Sequence, residues 1–356
     1  MKPHALVIGA GAVGCLSALE LSARGWRVTL VDKGDLGRES SWAGGGILFP
    51  LLPWHYSGPV NRLALAGAAV YPGLARRLLE STGCDPQYVP CGMQVQGCAD
   101  TSAALDWCRA HGVAVERQDD ALWLPGVAQA RNPRLMQALR AALQQVRVNI
   151  VECAELAPLQ AGGVRVESWR CTDGRVFAAD AFVLTAGAWS GGLLGEHALD
   201  IELKPMRGQM LLYQLAPGVL GHILYRDDFY LIPRLDGHIL AGSTVEDAGF
   251  DKATTPGAAT GLQRKAVALL PQLAGAPVVR HWSGLRPGSP DNVPVIARHP
   301  AFDNLWLNTG HFRYGVTMAP ASARILADLM EGKQSELAKD YAVERSRKPV
   351  FGYSAR

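Results

Sequence analysis

The chain has no GxxxxGK[ST] phosphate loop, no HExxH, no GxSxG, and no two of its nine histidines within five positions of each other. Nucleotide hydrolysis on such a loop, zinc proteolysis and serine hydrolysis therefore lack their signatures. Its seven cysteines (Cys15, Cys84, Cys91, Cys98, Cys108, Cys153, Cys171) are odd in number and never spaced CxxC, which suggests neither a disulfide framework nor a zinc knuckle. A reducing, cytoplasmic setting is expected. No apolar run approaches the roughly 20 residues that span a bilayer, so no membrane partner is expected. Charge is sparse and scattered, 19% of residues with a net +3 and no basic block, so no nucleic-acid partner is expected either.

What is present is apolar bulk: 48% hydrophobic content over 356 residues suffices for two cores. The most telling segment comes first. An apolar run Ala5 to Ile8 leads into Gly9-Ala10-Gly11-Ala12-Val13-Gly14, then a helical stretch, then Val28 to Val31 closed by Asp32. In a βαβ dinucleotide fold the first glycine allows the tight turn, the second lets a pyrophosphate approach bare backbone, and the third lets helix and strand pack. Phosphate then meets free N–H groups at a helix N-terminus. Asp32 stands where a carboxylate can accept from a ribose diol, with Lys33 beside it. Ala12-Val13-Gly14-Cys15 also mimics a lipidation box, but cleavage there would destroy the fingerprint.

Further along, Leu36 to Ile47 is too rich in Gly and Ser for regular structure and suits close backbone approach to a ligand, a loop containing Ser40, Ser41, Gly45, Gly46 and Ile47. Asn61 to Ser81 has helical periodicity, which Pro72 kinks or splits. Val89 to Val95 and Ala121 to Leu124 read as strands around a helix at Thr101 to His111. A helix follows at Asn132 to Val146, then a strand Val148 to Glu152, a hairpin through Asp173-Gly174, and a buried strand Ala181 to Leu184 running into Thr185-Ala186-Gly187. Gln209 to Val279 returns to strands and turns, with a hairpin at Asp236-Gly237 and one helix near Thr260 to Leu270. The chain ends its ordered pattern with a strand Asn304 to Leu307, a loop Gly310 to Gly315 and a helix Met318 to Met330. The fold class is α/β: a Rossmann-type nucleotide domain from residues 1–83, 132–205 and 284–345, a second antiparallel-sheet domain from 84–131 and 206–283, and a tail at 346–356.

One fingerprint at the extreme N-terminus, joined by a late contact segment, is more typical of FAD than of NAD. The loop Gly310-His311-Phe312-Arg313-Tyr314-Gly315, with Val316 and Thr317, leads to a helix whose N-terminal partial charge would face a flavin and favour its reduced form. Arg313 in that loop and Arg286 in Gly284-Leu285-Arg286-Pro287-Gly288, read as a second rigid turn, are solvated if ordinary. If both point inward they clamp a small carboxylate in bidentate fashion. Tyr230, on a strand between Phe229 and Leu231, adds a hydroxyl donor if it is not simply core.

The segments Ser40 to Leu48, Thr185 to Ser190, Gly242 to Asp247, Gly284 to Gly288 and Gly310 to Arg313, in this order, resemble the D-amino-acid oxidase superfamily, and within it the glycine oxidases of the thiamine-thiazole pathway. The resemblance spans nearly the whole chain. It implies a two-domain fold, non-covalent FAD, and oxidative deamination of glycine or a similar small amine, with oxygen as acceptor and hydrogen peroxide as product. It implies that Arg286 binds the substrate carboxylate with help from Arg313 and Tyr230, that Asp32 holds the ribose, and that Leu156, Ala186 and Gly187 join the cofactor contacts. A homo-oligomer is expected.

Relatives often carry Glu at the position of Asp32, Asn at that of Tyr314 and a histidine near Asp228, which leaves substrate preference open. Those that attach flavin covalently use a cysteine near His281 and Trp282, and none stands there. The rivals are a sarcosine, proline or D-amino-acid oxidase or dehydrogenase, a module oxidising tRNA uridine side chains, and a nucleotide-binding protein without catalysis.

Overall fold

A computed structural model describes residues 2–199, 202–333 and 336–345; the expected tail at 346–356 lies outside them. Apolar strands buried on both faces build a six-stranded sheet in the order Val295–Arg298, Leu305–Thr309, Ala181–Leu184, His4–Ile8, Arg27–Val31, Asn149–Val151. All pairings are parallel except that between the first two, as expected for a sheet covered on both sides. Alternation along the first strand divides the core. Ala5 and Val7 pack toward the helices Ala12–Ala23 and Gly315–Met330, while Leu6 and Ile8 join Trp169 and Phe182 on the opposite face.

The second sheet has nine strands, with the long strand Lys204–Gln214 second from one end. One edge of that strand pairs along Val278–Gly288, and the other pairs with His238–Gly242 and with the two-residue strand Glu246–Asp247. The sheet continues through Phe229–Pro233, Ile223–Arg226, Met93–Gln96 and Ala121–Leu124 to Glu116–Gln118. Helix Pro256–Leu269 covers one face; it starts where Thr255 Oγ1 accepts from the Ala258 N–H at 3.3 Å, with Pro256 at the first turn. Helix Thr101–Ala110 packs on the other face, with Phe49 and Met93.

Four local expectations differ from the structure. Gly58–Thr82 is one helix that Pro72 does not split. Its length spreads burial over residues from Val60 to Leu78, which outweighs one lost hydrogen bond. Residues 89–95 divide at Gly92 (φ +73°) into Val89–Pro90 and Met93–Gln96, which belong to different sheets. Ser40–Ala43 forms a one-turn helix inside the glycine-rich loop. Gly284 to Gly288 is not a turn but the end of strand Val278–Gly288, with Arg286 paired to Met206 and Pro287 to Pro205. Strands Lys204–Gln214 and Val278–Gly288 therefore run on through residues 205–206 and 283–284, where the sequence pattern suggests boundaries.

Candidate active site

The first strand ends at Gly9, whose φ of +103° turns the chain so that helix Ala12–Ala23 begins against the sheet edge. Gly14 does not line the cavity beyond; it is where the helix meets the turn, since a Cβ there would lie 1.8 Å from the Gly9 carbonyl oxygen. The Ala12 N–H at the helix start donates to Ser41 Oγ at 2.8 Å. Asp32 closes the second strand and accepts from the Ala10 N–H at 2.7 Å and the Gly34 N–H at 2.9 Å. Burial pushes the Asp32 carboxyl above its ordinary value, and the two N–H groups oppose that shift.

Gly9, Ala12, Asp32 and Ser41 line one cavity of about 690 Å³, within the usual size of a cofactor or ligand pocket. Of the expected site residues, Gly9, Gly11, Ala12, Val13, Asp32, Lys33, Ser40, Ser41, Gly45, Gly46, Ile47, Leu156, Ala186 and Gly187 are on its wall. So are Tyr230, Arg286, His311, Phe312, Arg313, Tyr314, Gly315, Val316 and Thr317. Gly310 is not; with φ +84° it turns the chain between strand Leu305–Thr309 and the loop. The last helix begins at Gly315, three residues before the expected start, because a 3-10 turn at Phe312–Tyr314 feeds directly into it. Its first N–H groups thereby reach the cavity, and Thr317 Oγ1 donates to the Ile47 carbonyl at 3.0 Å.

Arg286 joins the cavity wall from near the end of strand Val278–Gly288. Its Nη1 donates to the Thr244 carbonyl at 3.1 Å and its Nη2 to Ser243 Oγ at 2.7 Å. Desolvation lowers its value from that of an ordinary arginine, Tyr230 opposes the shift, and the charge of Arg313 adds to it. Arg313 lies 5.4 Å from the Phe312 ring centroid. Desolvation works against its charge too, yet Tyr56, Tyr314, Asp228 and Tyr225 together raise its value. Two cations and a phenol thus share one wall, a donor set that suits an anion. The His311 ring turns to Ser322, its Nε2 meeting Ser322 Oγ at 3.1 Å, and burial lowers its pKa to about 3.

Several contributors had no role in the sequence reading. Trp189 is one: its ring lies 3.6 Å below Nζ of the expected Lys33, a cation–π contact at the cavity edge. Ser243 and Thr244, quoted above as part of a motif, hold Arg286. Buried Arg234 donates to the Gly45 carbonyl at 2.8 Å behind the glycine loop. Asn132 and Asn308 both line the cavity, and their buried Oδ1 atoms find no partner among the described residues.

Residues 4–329 match the family model described as FAD dependent oxidoreductase, DAO. The chain belongs to this family. Among DAO relatives, the glycine oxidase of Pseudomonas aeruginosa PAO1 is 44% identical over 354 residues, covering 94% of this chain and 96% of the relative. The bifunctional protein ThiO/ThiG of Trichormus variabilis is 30% identical over 384 residues, which takes in 100% of this chain and 58% of that protein. The solved glycine oxidase of Bacillus cereus superposes with a TM-score of 0.88 at 26% identity, covering 97% of this chain and 99% of that one. The DAO fold implied by the sequence motifs is the fold observed.

The residues fit the dinucleotide cofactor of an FAD-dependent family. Two helix N-termini open onto the cavity, Gly11 and Gly45 present bare backbone, and two unpartnered buried amide oxygens lie on its wall.

Proposed function

We propose that this protein oxidises glycine, or an amino acid nearly as small, to its imine, which water converts to the 2-oxo acid and ammonia while oxygen is reduced to hydrogen peroxide. The observation that carries this reading is the placement of Arg286, Arg313 and Tyr230 on the wall of the same cavity as the Gly9 turn and Asp32. FAD, bound there without a covalent link, supplies the two-electron acceptor. No cysteine is among the residues lining the cavity, which supports non-covalent attachment.

The residues divide the work. The helix start at Gly11 to Val13 with the Ser41 hydroxyl receives phosphate, Asp32 the ribose, and the Gly45-Gly46-Ile47 backbone with the helix start at Gly315 to Thr317 the ring system. Arg286 takes the substrate carboxylate through its remaining N–H groups, and Arg313 and the Tyr230 hydroxyl support it. With one small anion held on two cations, the Cα–H bond has a fixed direction. Orientation of this kind supplies roughly 7 to 11 kcal/mol in favourable cases, so no acid–base side chain is required. The cofactor unit is drawn mainly from 1–83, 132–205 and 284–345 and the substrate unit from 84–131 and 206–283, with strands Lys204–Gln214 and Val278–Gly288 crossing from one to the other. A cytoplasmic homo-oligomer serving thiamine thiazole synthesis completes the reading, supported by the likeness to ThiO/ThiG.

Anaerobic addition of glycine, sarcosine and D-alanine to the purified flavoprotein, with the flavin absorbance followed, tests it. Glycine should bleach the flavin, and admitted oxygen should restore the colour with an equivalent of peroxide. Bleaching by sarcosine or D-alanine but not glycine would reassign the substrate. Arg286→Ala should raise the glycine KM steeply with flavin retained; unchanged kinetics would remove the clamp.

A further inference from the structure

We propose that Glu246 is a positioning residue for the substrate carboxylate: it fixes the Ser243-Thr244 segment from which Arg286 hangs, and so sets where the remaining guanidinium N–H groups point. The inference rests on the reading of Arg286 as the carboxylate anchor and goes beyond it by naming what aims that anchor.

Two partners of Arg286, Ser243 Oγ and the Thr244 carbonyl, lie outside regular strand, in the short segment between His238–Gly242 and Glu246–Asp247. Left to itself, such a segment would hold a guanidinium loosely. It is tied down through its own hydroxyl. Thr244 Oγ1 donates to Glu246 Oε1 and accepts from the Gln209 backbone N–H at 2.8 Å. The Glu246 carboxylate is in turn fixed by Gln209 Nε2 at 2.9 Å on Oε1 and by Arg207 on Oε2, at 2.7 Å from Nη2 and 3.1 Å from Nε. Gln209 and Arg207 are both buried on strand Lys204–Gln214, which pairs with three others.

Three features single out the carboxylate. It accepts from a hydroxyl, an amide and two N–H groups of a guanidinium at once, which a neutral amide of the same shape cannot do because one of its two ends becomes a donor, facing either Arg207 or the Gln209 amide. Its field also favours the charge on Arg286, although the two groups are not among the hydrogen-bonded pairs. Finally, glycine offers the site little besides its carboxylate and amine, so a small error in the anchor's aim cannot be corrected by contacts elsewhere on the substrate.

The test uses the holoenzyme: wild type, Glu246→Gln, Thr244→Val, Thr244→Ser and Arg286→Ala. FAD content, glycine kcat and KM, and binding of acetate, a carboxylate without an amine, are measured, the last by perturbation of the flavin spectrum. Glu246→Gln and Thr244→Val should keep their FAD, raise glycine KM and acetate Kd together by about tenfold, and leave kcat at saturation within about threefold. Thr244→Ser, which keeps the hydroxyl, should restore both constants. Unchanged KM and acetate affinity in Glu246→Gln and Thr244→Val, with Arg286→Ala strongly impaired, overturn the role of Glu246 alone. Loss of FAD in step with kcat in both variants also overturns it, since the network then supports the fold and not the anchor. If Arg286→Ala changes neither constant, the anchor reading itself fails.

Discussion

The guanidinium of Arg286 lies across Gly208: a Cβ built on Gly208 would stand 2.2 Å from Arg286 Nη1 and 2.4 Å from its Cζ. Gly208 is paired with Gly284 on the neighbouring strand, and no left-handed backbone explains its lack of a side chain. Clearance for the arginine does. Gly208→Ala should therefore push the guanidinium off its partners Ser243 and Thr244 while leaving the nucleotide end of the cavity untouched. A displacement near 1 Å costs about 100-fold in turnover efficiency in sensitive cases. Steady-state kinetics with glycine, alongside FAD content, check this; an alanine variant with wild-type kcat/KM would show that Arg286 adapts without loss.

A second clearance lies at the cofactor turn. A Cβ on Gly14 would sit 1.8 Å from the Gly9 carbonyl oxygen and 2.7 Å from Thr185 Oγ1, both fixed parts of the sheet edge. Gly14→Ala must lift helix Ala12–Ala23 from the strand, a form of overpacking that costs about 1 to 3 kcal/mol and moves the N–H groups away from the phosphates. Gly261→Ala is the control, since nothing lies within 4 Å of its added Cβ on helix Pro256–Leu269. It should stabilise by about 1 kcal/mol. Thermal melts of the two variants should diverge in sign, and FAD affinity should fall only in Gly14→Ala.

The nucleotide end was legible because each of its requirements is local: a buried strand, three glycines, a helix and an acid follow one another within 32 residues. The substrate end was only half legible. Arg286 could be singled out, but Gly284 and Pro287 around it suggested a turn, whereas the structure uses this glycine for clearance: a Cβ there would fall 2.5 Å from Ala43 Cβ. A glycine required by a neighbour distant in sequence looks the same, in one sequence, as a glycine required by its own backbone. Likewise nothing local reveals that Thr244 and Glu246 converge on Arg286 and Arg207, because strand pairing and not spacing brings them together. The start of the last helix was misjudged for a simpler reason: Gly315 is a poor helix former, yet here a 3-10 turn precedes it and continues into the helix.

His311 makes the fold sensitive to acid. Its ring is buried against Ser322, and its pKa in the folded chain lies at about 3, against an ordinary 6.5. Between these values the unfolded chain binds a proton that the folded one does not, so stability falls as the pH drops below 6.5 and continues to fall until about 3. The slope of this contribution is roughly 1.4 kcal/mol per pH unit. His311→Asn, which keeps a donor and an acceptor without titrating, should lose less stability between pH 7 and pH 5 than wild type. Urea midpoints at the two pH values measure the difference, and equal losses in both proteins would assign the acid sensitivity to other groups.

Arg234 supports the cofactor loop from behind. It is buried, burial brings its pKa down to about 9, and its donors go to the Gln129 side chain, the Ala130 carbonyl at 3.2 Å and the Gly45 carbonyl at 2.8 Å. Gly45 in turn faces the strand that carries both Tyr230 and Ile232: a Cβ on it would meet Ile232 Cδ1 at 2.7 Å and Tyr230 Cε2 at 3.3 Å. One side chain thus holds the cofactor loop in register with Tyr230, the proposed substrate donor four residues away. Lysine cannot replace it, because a single ammonium on a flexible stem does not span three acceptors held by the planar fork. Arg234→Met strands buried carbonyls at a cost of about 1 to 3 kcal/mol each. Both variants should bind FAD at least about tenfold more weakly, a factor that corresponds to 1.4 kcal/mol. Equilibrium dialysis of the apoprotein against FAD measures the constant, and wild-type affinity in Arg234→Met would mean that the loop keeps its place without this cation.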